Sequence, residues 1–499
     1  MTEAILTLDL GTTACKAVVF DPTGKVLGEG QHEYPTYHPQ PGAAEQDPAD
    51  WWNAVVTAGR AALAAAAGVR IIAVGLSSQR ETVVPVDEQG TPLRRALTWM
   101  DRRSQPQAAA LAAKLGVAAV HARTGMLPEA TFTATKLRYL CENEPDTLRK
   151  AAWLLQPKDY LIMRLTGQPA IDPSLASRTL LWAVSDGWLD DMIEWAGIRK
   201  EQLPPVVPSG GVAGVVTEAA AAELGVPAGI PVACGAGDRC CEALGAAVCP
   251  DGRGMISTGT ATNVSGALDK LPPTLVPGIL YTRAAVPGQW LAEQGIATGG
   301  SVLKWLRDSL RHKDYTELGQ MAAASPAGAN GLVLLPFFMG ARATRWNPLA
   351  KGTWLGLTLG HTQGDMARSV MEAVACEVRA CVDVLNRAGQ NPAELVMLGG
   401  GANSPVWCQI KADVTNRPIV VPRVTGAACL GAMFLGGQAA GLWADPVAAA
   451  REANPVVGRY DPVATTARYY ERHFALYNKL YTAVTPLYED LARLAVEEA

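Results

Sequence analysis

The first apolar run, Ile5 to Leu10, is broken by Thr7 and Asp9, stops at Gly11-Thr12-Thr13, and resumes after Lys16 through Ala17 to Phe20. This pattern predicts two strands around a tight polar turn. A second turn at Pro22-Thr23-Gly24-Lys25 and the stretch from Val26 to Gly30 add a third strand. Asp47 before Pro48 reads as a side-chain cap followed by proline at the first helical position, which opens a helix over residues 51–67. Ile71 to Leu76 is a short, wholly apolar run of the kind that forms a buried strand, and it ends on Ser77-Ser78-Gln79-Arg80-Glu81-Thr82. Strands at 83–86 and 96–99 follow. Residues 104–200 read mainly as helices, one carrying Thr131 to Leu140 and another starting after Leu155-Gln156-Pro157. Val232 to Asp238 is a strand closing on a glycine-flanked aspartate. In the second half the pattern predicts strands around 255–266 and 278–292, a glycine turn entering a helix at Gly299-Gly300, and a long helix from Gln363 to Ala388. A strand from Leu395 to Leu398 then runs into Gly399-Gly400-Gly401, and an amphipathic helix from Ala464 to Glu498 packs back on the body.

The polar breaks carry the candidate chemistry. Around the first turn, Gly11 admits close backbone approach, and successive N–H groups with the Thr12 and Thr13 hydroxyls can face phosphate oxygens. Lys16 adds a point charge. Asp9 disfavours a bare anion, so a divalent cation between it and a phosphate completes the site. The layout recurs at Met255 to Ser265, where apolar residues flank Ser257-Thr258-Gly259-Thr260. Two phosphate-type hairpins half a chain apart predict two related halves, each offering one to a shared nucleotide. The Gly300 turn is expected to leave free N–H groups at a helix start, and Gly400 and Gly401 to let a ring or a phosphate lie against bare backbone. Arg80 and Glu81 sit at the carboxyl end of a buried strand, where ligand crevices of α/β folds form.

Bulk properties narrow the class without naming it. A chain of 499 residues fits two to four domains, and a net charge of −4 argues against nonspecific nucleic-acid or anionic-membrane binding. The ten cysteines show no CxxC pair and no zinc spacing, as expected of buried thiols in a reducing, cytoplasmic setting. No apolar run approaches the ~18 residues of a membrane span, and a strand from Ile5 leaves no room for a signal peptide.

In order along the chain stand DLGTTACK at 9–16, EQDPADWW at 45–52, SSQRE at 77–81, LQPKDYLIMRLTG at 155–167, GAGD at 235–238, STGT at 257–260, GGSVLKWLRD at 299–308, GLTLGHTQGDMARSVMEAVA at 356–375 and GGGANSPVWCQIKADVTNRPI at 399–419. Together they resemble the FGGY family of carbohydrate kinases from about residue 4 to about residue 490. The resemblance implies an α/β fold of two ribonuclease H-like, actin-like ATPase domains with a cleft between them, a sugar-binding domain over 1–248 and a nucleotide-binding domain over 249–499. It implies ATP and Mg2+ as cofactors and a small sugar or polyol as the partner, and admits a homodimer. Carried over by residue, Asp238 is the general base and a substrate ligand, and Asp9 holds magnesium through water. Arg80, Glu81, Asp101, Thr131 and Arg239 bind substrate. Gly11, Thr12, Thr13, Lys16, Thr258, Gly259, Thr260, Gly300, Lys304, Gly400 and Gly401 bind nucleotide.

Three positions depart from that family pattern: Ala341 stands where glutamate is usual, Tyr139 where tryptophan is common, and Arg239 where glutamine or asparagine follows the base. Substrate size is pulled two ways. Arg80-Glu81 resembles glycerol kinases, whereas Thr131 and Asn263 replace two aromatic residues those kinases place against the carbon chain. Small polar groups enlarge the site, and a three-carbon triol would leave them unpaired, at roughly 1–3 kcal/mol for each buried group. The expected substrate is therefore a D-xylulose-like pentulose or a pentitol, with glycerol as the alternative. An actin-like nucleotide switch without sugar substrate is the reading from another class, and a sugar-binding protein without turnover is a third.

Overall fold

The computed structural model describes residues 2–250 and 252–497. Asp251, close to the expected domain boundary at 248, and Glu498, the expected end of the last helix, lie outside the described residues. The chain divides into two compact units. The first comprises residues 1–247, 269–291 and 426–454; the second comprises 248–268, 292–425 and 455–499.

The first unit is built on a mixed sheet whose strands lie in the order Val26–Glu33, Ala14–Phe20, Thr2–Leu10, Val69–Ser78, Pro231–Ala233, Val212–Val215. The opening strands form an antiparallel ribbon, and Thr2–Leu10 pairs in parallel with Val69–Ser78. A two-residue strand, Ala236–Gly237, continues the sheet beside Ser77 and Ser78. This register carries three strand ends to one edge, those of Asp9, Ser77-Ser78 and Gly237. The helix Pro48–Ala65 covers one face and is capped as its sequence requires, with Asp47 accepting the Ala49 N–H at 3.0 Å.

The second unit repeats the plan. Its strands run Trp290–Ile296, Thr262–Leu268, Arg253–Thr258, Glu394–Leu398, Ile419–Pro422, Val456–Tyr460. The hairpin is again antiparallel, the central neighbours parallel, and the last strand antiparallel. The internal repeat read from the two hairpins is thus a repeat of whole topology. The helix Gln363–Arg387 starts at a reciprocal Thr362–Asp365 cap, and the last helix, Ala464–Glu497, buries Tyr470, Tyr477 and Tyr488 in this unit's core.

A single crossing near residue 248 does not describe the chain. Residues 269–291 and 426–454 fold with the first unit. The helix Ala427–Ala439 is apolar around nearly its whole circumference, so periodicity gives no clue to which sheet it covers. Bare backbone decides it. A Cβ on Gly75 would overlap the Ala432 carbonyl oxygen, and one on Gly436 would lie 2.9 Å from Ile5 Cγ2 and 3.1 Å from the Gly75 N. Helix and strand meet there with no side chain between them. Overpacking a rigid backbone contact costs about 3 kcal/mol or more. Gly75→Ala is therefore expected to lower the unfolding free energy by that amount, read as a lower urea midpoint at unchanged m-value, and a midpoint within error of wild type would refute the contact.

Candidate active site

At the first hairpin the turn is held from behind by side chains. The Gly11 carbonyl accepts from the Gln79 amide at 3.2 Å and from the Tyr34 hydroxyl. The Thr12 carbonyl accepts from the Gln46 amide at 2.6 Å, and the Thr12 hydroxyl from the Trp99 indole at 3.1 Å. With its carbonyls occupied, the turn presents its N–H groups: those of Thr12 and Thr13 donate to nothing among the described residues. Such an arrangement suits an anion. Lys16 stands apart from this turn. It lies on the outgoing strand opposite Asp9 and pairs with Glu29 at 3.4 Å, half-exposed.

Asp9 is half-buried and accepts from Ser77 Oγ at 2.8 Å. Burial pushes its carboxyl up to about 6, and the like charges of Asp238 and Glu242 add to the effect against the Ser77 hydrogen bond and Lys16. Sequence reasoning missed Glu242, which is one helical turn from Asp238 and whose carboxylate is bound by Arg239 at 2.7 Å. Arg239 is thereby directed to Glu242 at i+3.

Asp238 opens the helix Asp238–Gly245 and accepts the Arg239 N–H at 2.7 Å. Arg80, itself buried, places Nε 3.2 Å from the same carboxylate, which stays 39% exposed. The other two acids are enclosed. Glu81 has a left-handed backbone, φ 64°, held by the Gln156 side chain on its N–H and the Thr133 hydroxyl on its carbonyl. Its carboxylate is clamped by buried Arg178 at 2.5 Å. Both oxygens of Asp101 are filled, by the Ala44 and Arg103 N–H groups and the Arg103 guanidinium. The expectation of Asp101 as an open hydroxyl ligand is corrected accordingly: it anchors Arg103, whose guanidinium lies over the ring of Tyr139. Thr131 precedes its helix, which begins at Thr133, and its hydroxyl accepts from Arg102 at 3.3 Å. Buried Lys136 holds that loop through the Ala130 and Thr131 carbonyls, and burial lowers its pKa to about 7.

In the second unit a cavity of about 720 Å³ opens between the hairpin and residues of four helices. It gathers Thr258, Gly259, Thr260, Gly300, Lys304, Gly400 and Gly401, all seven of the residues in this unit expected to bind nucleotide. Its volume and largely apolar wall suit a flat heterocycle with a polar tail. Gly399, at φ 72°, has its backbone pressed against Thr258, while a Cβ on Gly400 would meet nothing within 4 Å. Met371, Trp407, Tyr315 and Gln320 also line the cavity; Met371 and Trp407 fall in the stretches 356–375 and 399–419, and no motif marks Tyr315 or Gln320. Ser301 Oγ on this wall is buried without a hydrogen-bond partner among the described residues. Two of the N–H groups at the Gly300 helix start are used within the fold: Gly300 donates to the Gly259 carbonyl at 2.8 Å and Ser301 to the Thr260 carbonyl at 3.1 Å. The helix start braces the hairpin. Lys304 pairs with Asp308 on an exposed turn. Asn263, in the outgoing strand, accepts from Ser265 Oγ at 2.5 Å. Ala341 is buried in an apolar cluster of this unit, which leaves no place there for an unpaired glutamate.

Comparison with known proteins finds two family domains in succession along the chain. The N-terminal domain model of the FGGY family of carbohydrate kinases matches residues 4–245 and the C-terminal domain model matches 254–440. A glycerol kinase of Acidovorax sp. (strain JS42) is 34% identical over 458 residues, spanning 88% of this chain and 91% of its own. Xylulose kinase from Rhodospirillum rubrum superposes with a TM-score of 0.91 at 29% identity, over 97% of this chain and 100% of that one. Gluconate kinase from Lactobacillus acidophilus does so with a TM-score of 0.91 at 26% identity, over 98% and 99%. A switch without a sugar substrate is not what these matches describe. The chain belongs to the FGGY family of carbohydrate kinases and is an ATP-dependent kinase of that family.

Proposed function

We propose that the protein transfers the γ-phosphoryl group of ATP to a hydroxyl of a polyol or ketose larger than glycerol, with Asp238 as the base. The observation that carries the base assignment is selective exposure. Glu81 and Asp101 are enclosed by arginines, whereas Asp238 keeps an exposed carboxylate fixed by Arg80 and by its own helix start. A neutral hydroxyl is a poor nucleophile, and a positioned carboxylate can take its proton as the new bond forms. The acceptor oxygen attacks the γ-phosphorus, its proton passes to Asp238, and the bond to the bridging oxygen breaks, with ADP leaving on that electron pair. Positioning and charge stabilisation dominate such transfers. In this reading the Thr258–Thr260 hairpin holds phosphate in the second unit, and the Thr12 and Thr13 N–H groups are the anion site of the first.

Magnesium fits the first hairpin as a water-separated ion. Among the described residues no group of three metal-ligating side chains could cage a metal directly, and magnesium characteristically keeps several waters while using one or two carboxylates plus substrate phosphates. Asp9, raised by burial and by two neighbouring acids, gains from a cation at that place. Bound there, the ion offsets the charge on the phosphates.

Substrate size rests on Thr131. A short hydroxyl side chain with Arg102 beside it leaves donors and acceptors where an aromatic wall would close on three carbons. A four- or five-carbon substrate satisfies them, and sites built to bond hydroxyls discriminate strongly against ligands lacking them. Glycerol is the second reading, favoured by the 34% identity to a glycerol kinase. The test is kcat/KM by coupled ADP release across glycerol, erythritol, xylitol, arabinitol, D-xylulose, L-xylulose and D-ribulose. A pentulose or pentitol is expected first. Glycerol ranking first would overturn the size argument and leave the kinase intact.

A further inference from the structure

Lys411 is wholly buried in the helix Pro405–Thr415. A buried ammonium ordinarily sits against a carboxylate or several oxygens, since an uncompensated charge is costly away from water. Lys411 has neither. Among the described residues its Nζ reaches Thr258 Oγ1 at 3.4 Å, Met397 Sδ at 3.7 Å and the face of Trp407, 4.0 Å from the ring centroid. Thr258 and Trp407 both line the cavity of the second unit. The charge therefore stands one side chain behind the wall. Thr258 Oγ1 also accepts from Thr262 Oγ1 at 3.4 Å. With two donors on its lone pairs, a hydroxyl has only its own proton left to give.

We propose that Lys411 is a positioning residue for the phosphate chain of the nucleotide, fixing the Thr258 hydroxyl as a donor and setting a positive charge behind the Thr258–Thr260 hairpin. The inference rests on reading this cavity as the nucleotide site. Among the described residues no anion sits against that charge, and phosphates supply one. Burial brings the Lys411 pKa down to about 7, with Cys408 on the same helix the titratable group that acts against burial. On the elements packed around this helix, Arg379 donates to the Val414 carbonyl, and Asp413 is taken by the Val463 N–H and the Gln409 amide. Arg368 pairs with Glu372 and Tyr470 on the neighbouring helices. An incoming phosphate chain raises the affinity of Lys411 for its proton, so binding near neutral pH takes protons up.

The experiment is calorimetric titration of ADP and of adenosine into wild type and Lys411→Met, at pH 7.5 in two buffers of different ionisation enthalpy. A methionine of similar length removes the charge and keeps the packing, so the variant is expected to melt at or above the wild-type temperature. ADP affinity is expected to fall about tenfold, adenosine affinity to stay within twofold, and the proton uptake on ADP binding to disappear. Equal weakening of ADP and adenosine, or no weakening of either, overturns the inference while leaving the nucleotide site standing. Absence of ADP binding to wild type overturns both. Thr258→Val guards against a misfolded lysine variant: it is expected to weaken ADP selectively by itself, and unchanged ADP affinity would equally overturn the proposal. If both single variants fold, the double variant is expected to lose less than the two losses combined.

Discussion

Asp238→Asn is expected to lower kcat at least ~10²-fold, the usual scale for losing a general base, while leaving the fold and the nucleotide affinity in place. The amide is isosteric, and its oxygen can still accept the Arg239 N–H at the helix start. What is lost is a partly exposed charge beside Arg80, and an ion pair with 39% of the carboxylate in water contributes little to stability. Removing a negative charge from a helix N-terminus costs at most about 1 kcal/mol. The cavity of the second unit, proposed above to take the nucleotide, is lined by neither residue. Turnover should therefore collapse with KM for ATP and the melting temperature nearly unchanged. Near-wild-type turnover at an unchanged melting temperature would refute the assignment. A loss of kcat accompanied by a large drop in melting temperature would instead assign Asp238 to the helix start.

The parts of the molecule legible in the sequence are those with a local signature. Both hairpins announce themselves by glycine and hydroxyls between apolar runs, and both fold as read. Strand ends carrying Arg80 and Asp238 converge because parallel pairing brings carboxyl ends to one edge, a property of the topology that alternating strands and helices already imply. What escaped reading was set by partners far along the chain. Arg178, 97 residues from Glu81, encloses that acid, and nothing near either residue marks the pairing. The helix Ala427–Ala439 returns to the first unit because Gly75 and Gly436 let two backbones touch, and an all-apolar helix carries no directional pattern. Gly300 was legible as a helix start beside a ligand, but the use of its N–H by the Gly259 carbonyl follows only from the folded hairpin. Lys411 sits in the stretch 399–419 with nothing local to single it out, and its isolation depends on what surrounds it in three dimensions.

Asp9→Asn is expected to make the metal-free protein more stable and the enzyme nearly inactive. The folded protein holds the Asp9 carboxyl at about 6, against an ordinary value of 3.8, chiefly through burial and then through Asp238 and Glu242. Below pH 3.8 Asp9 is protonated in both folded and unfolded chains and contributes nothing. Between 3.8 and about 6 the folded state binds more proton than the unfolded state, so stability falls as pH rises. Above about 6 the full cost persists, on the order of 1–3 kcal/mol for a shift of this size at a half-buried position. Asparagine can still accept from Ser77 and carries no charge to bury. The gain in melting temperature of the variant over wild type, measured in EDTA, should grow from pH 4 to about 6.5 and then level off. Magnesium favours the ionised carboxylate, so wild-type affinity for magnesium–ATP should weaken as pH falls through about 6, and the variant should lose that proton-linked step together with most of its turnover. A functional residue kept at a cost to the fold is the pattern of an active-site group. A variant no more stable than wild type at pH 7.5, or one whose gain is largest at the acid end, would show that Asp9 is an ordinary strand-end carboxylate and place the metal elsewhere.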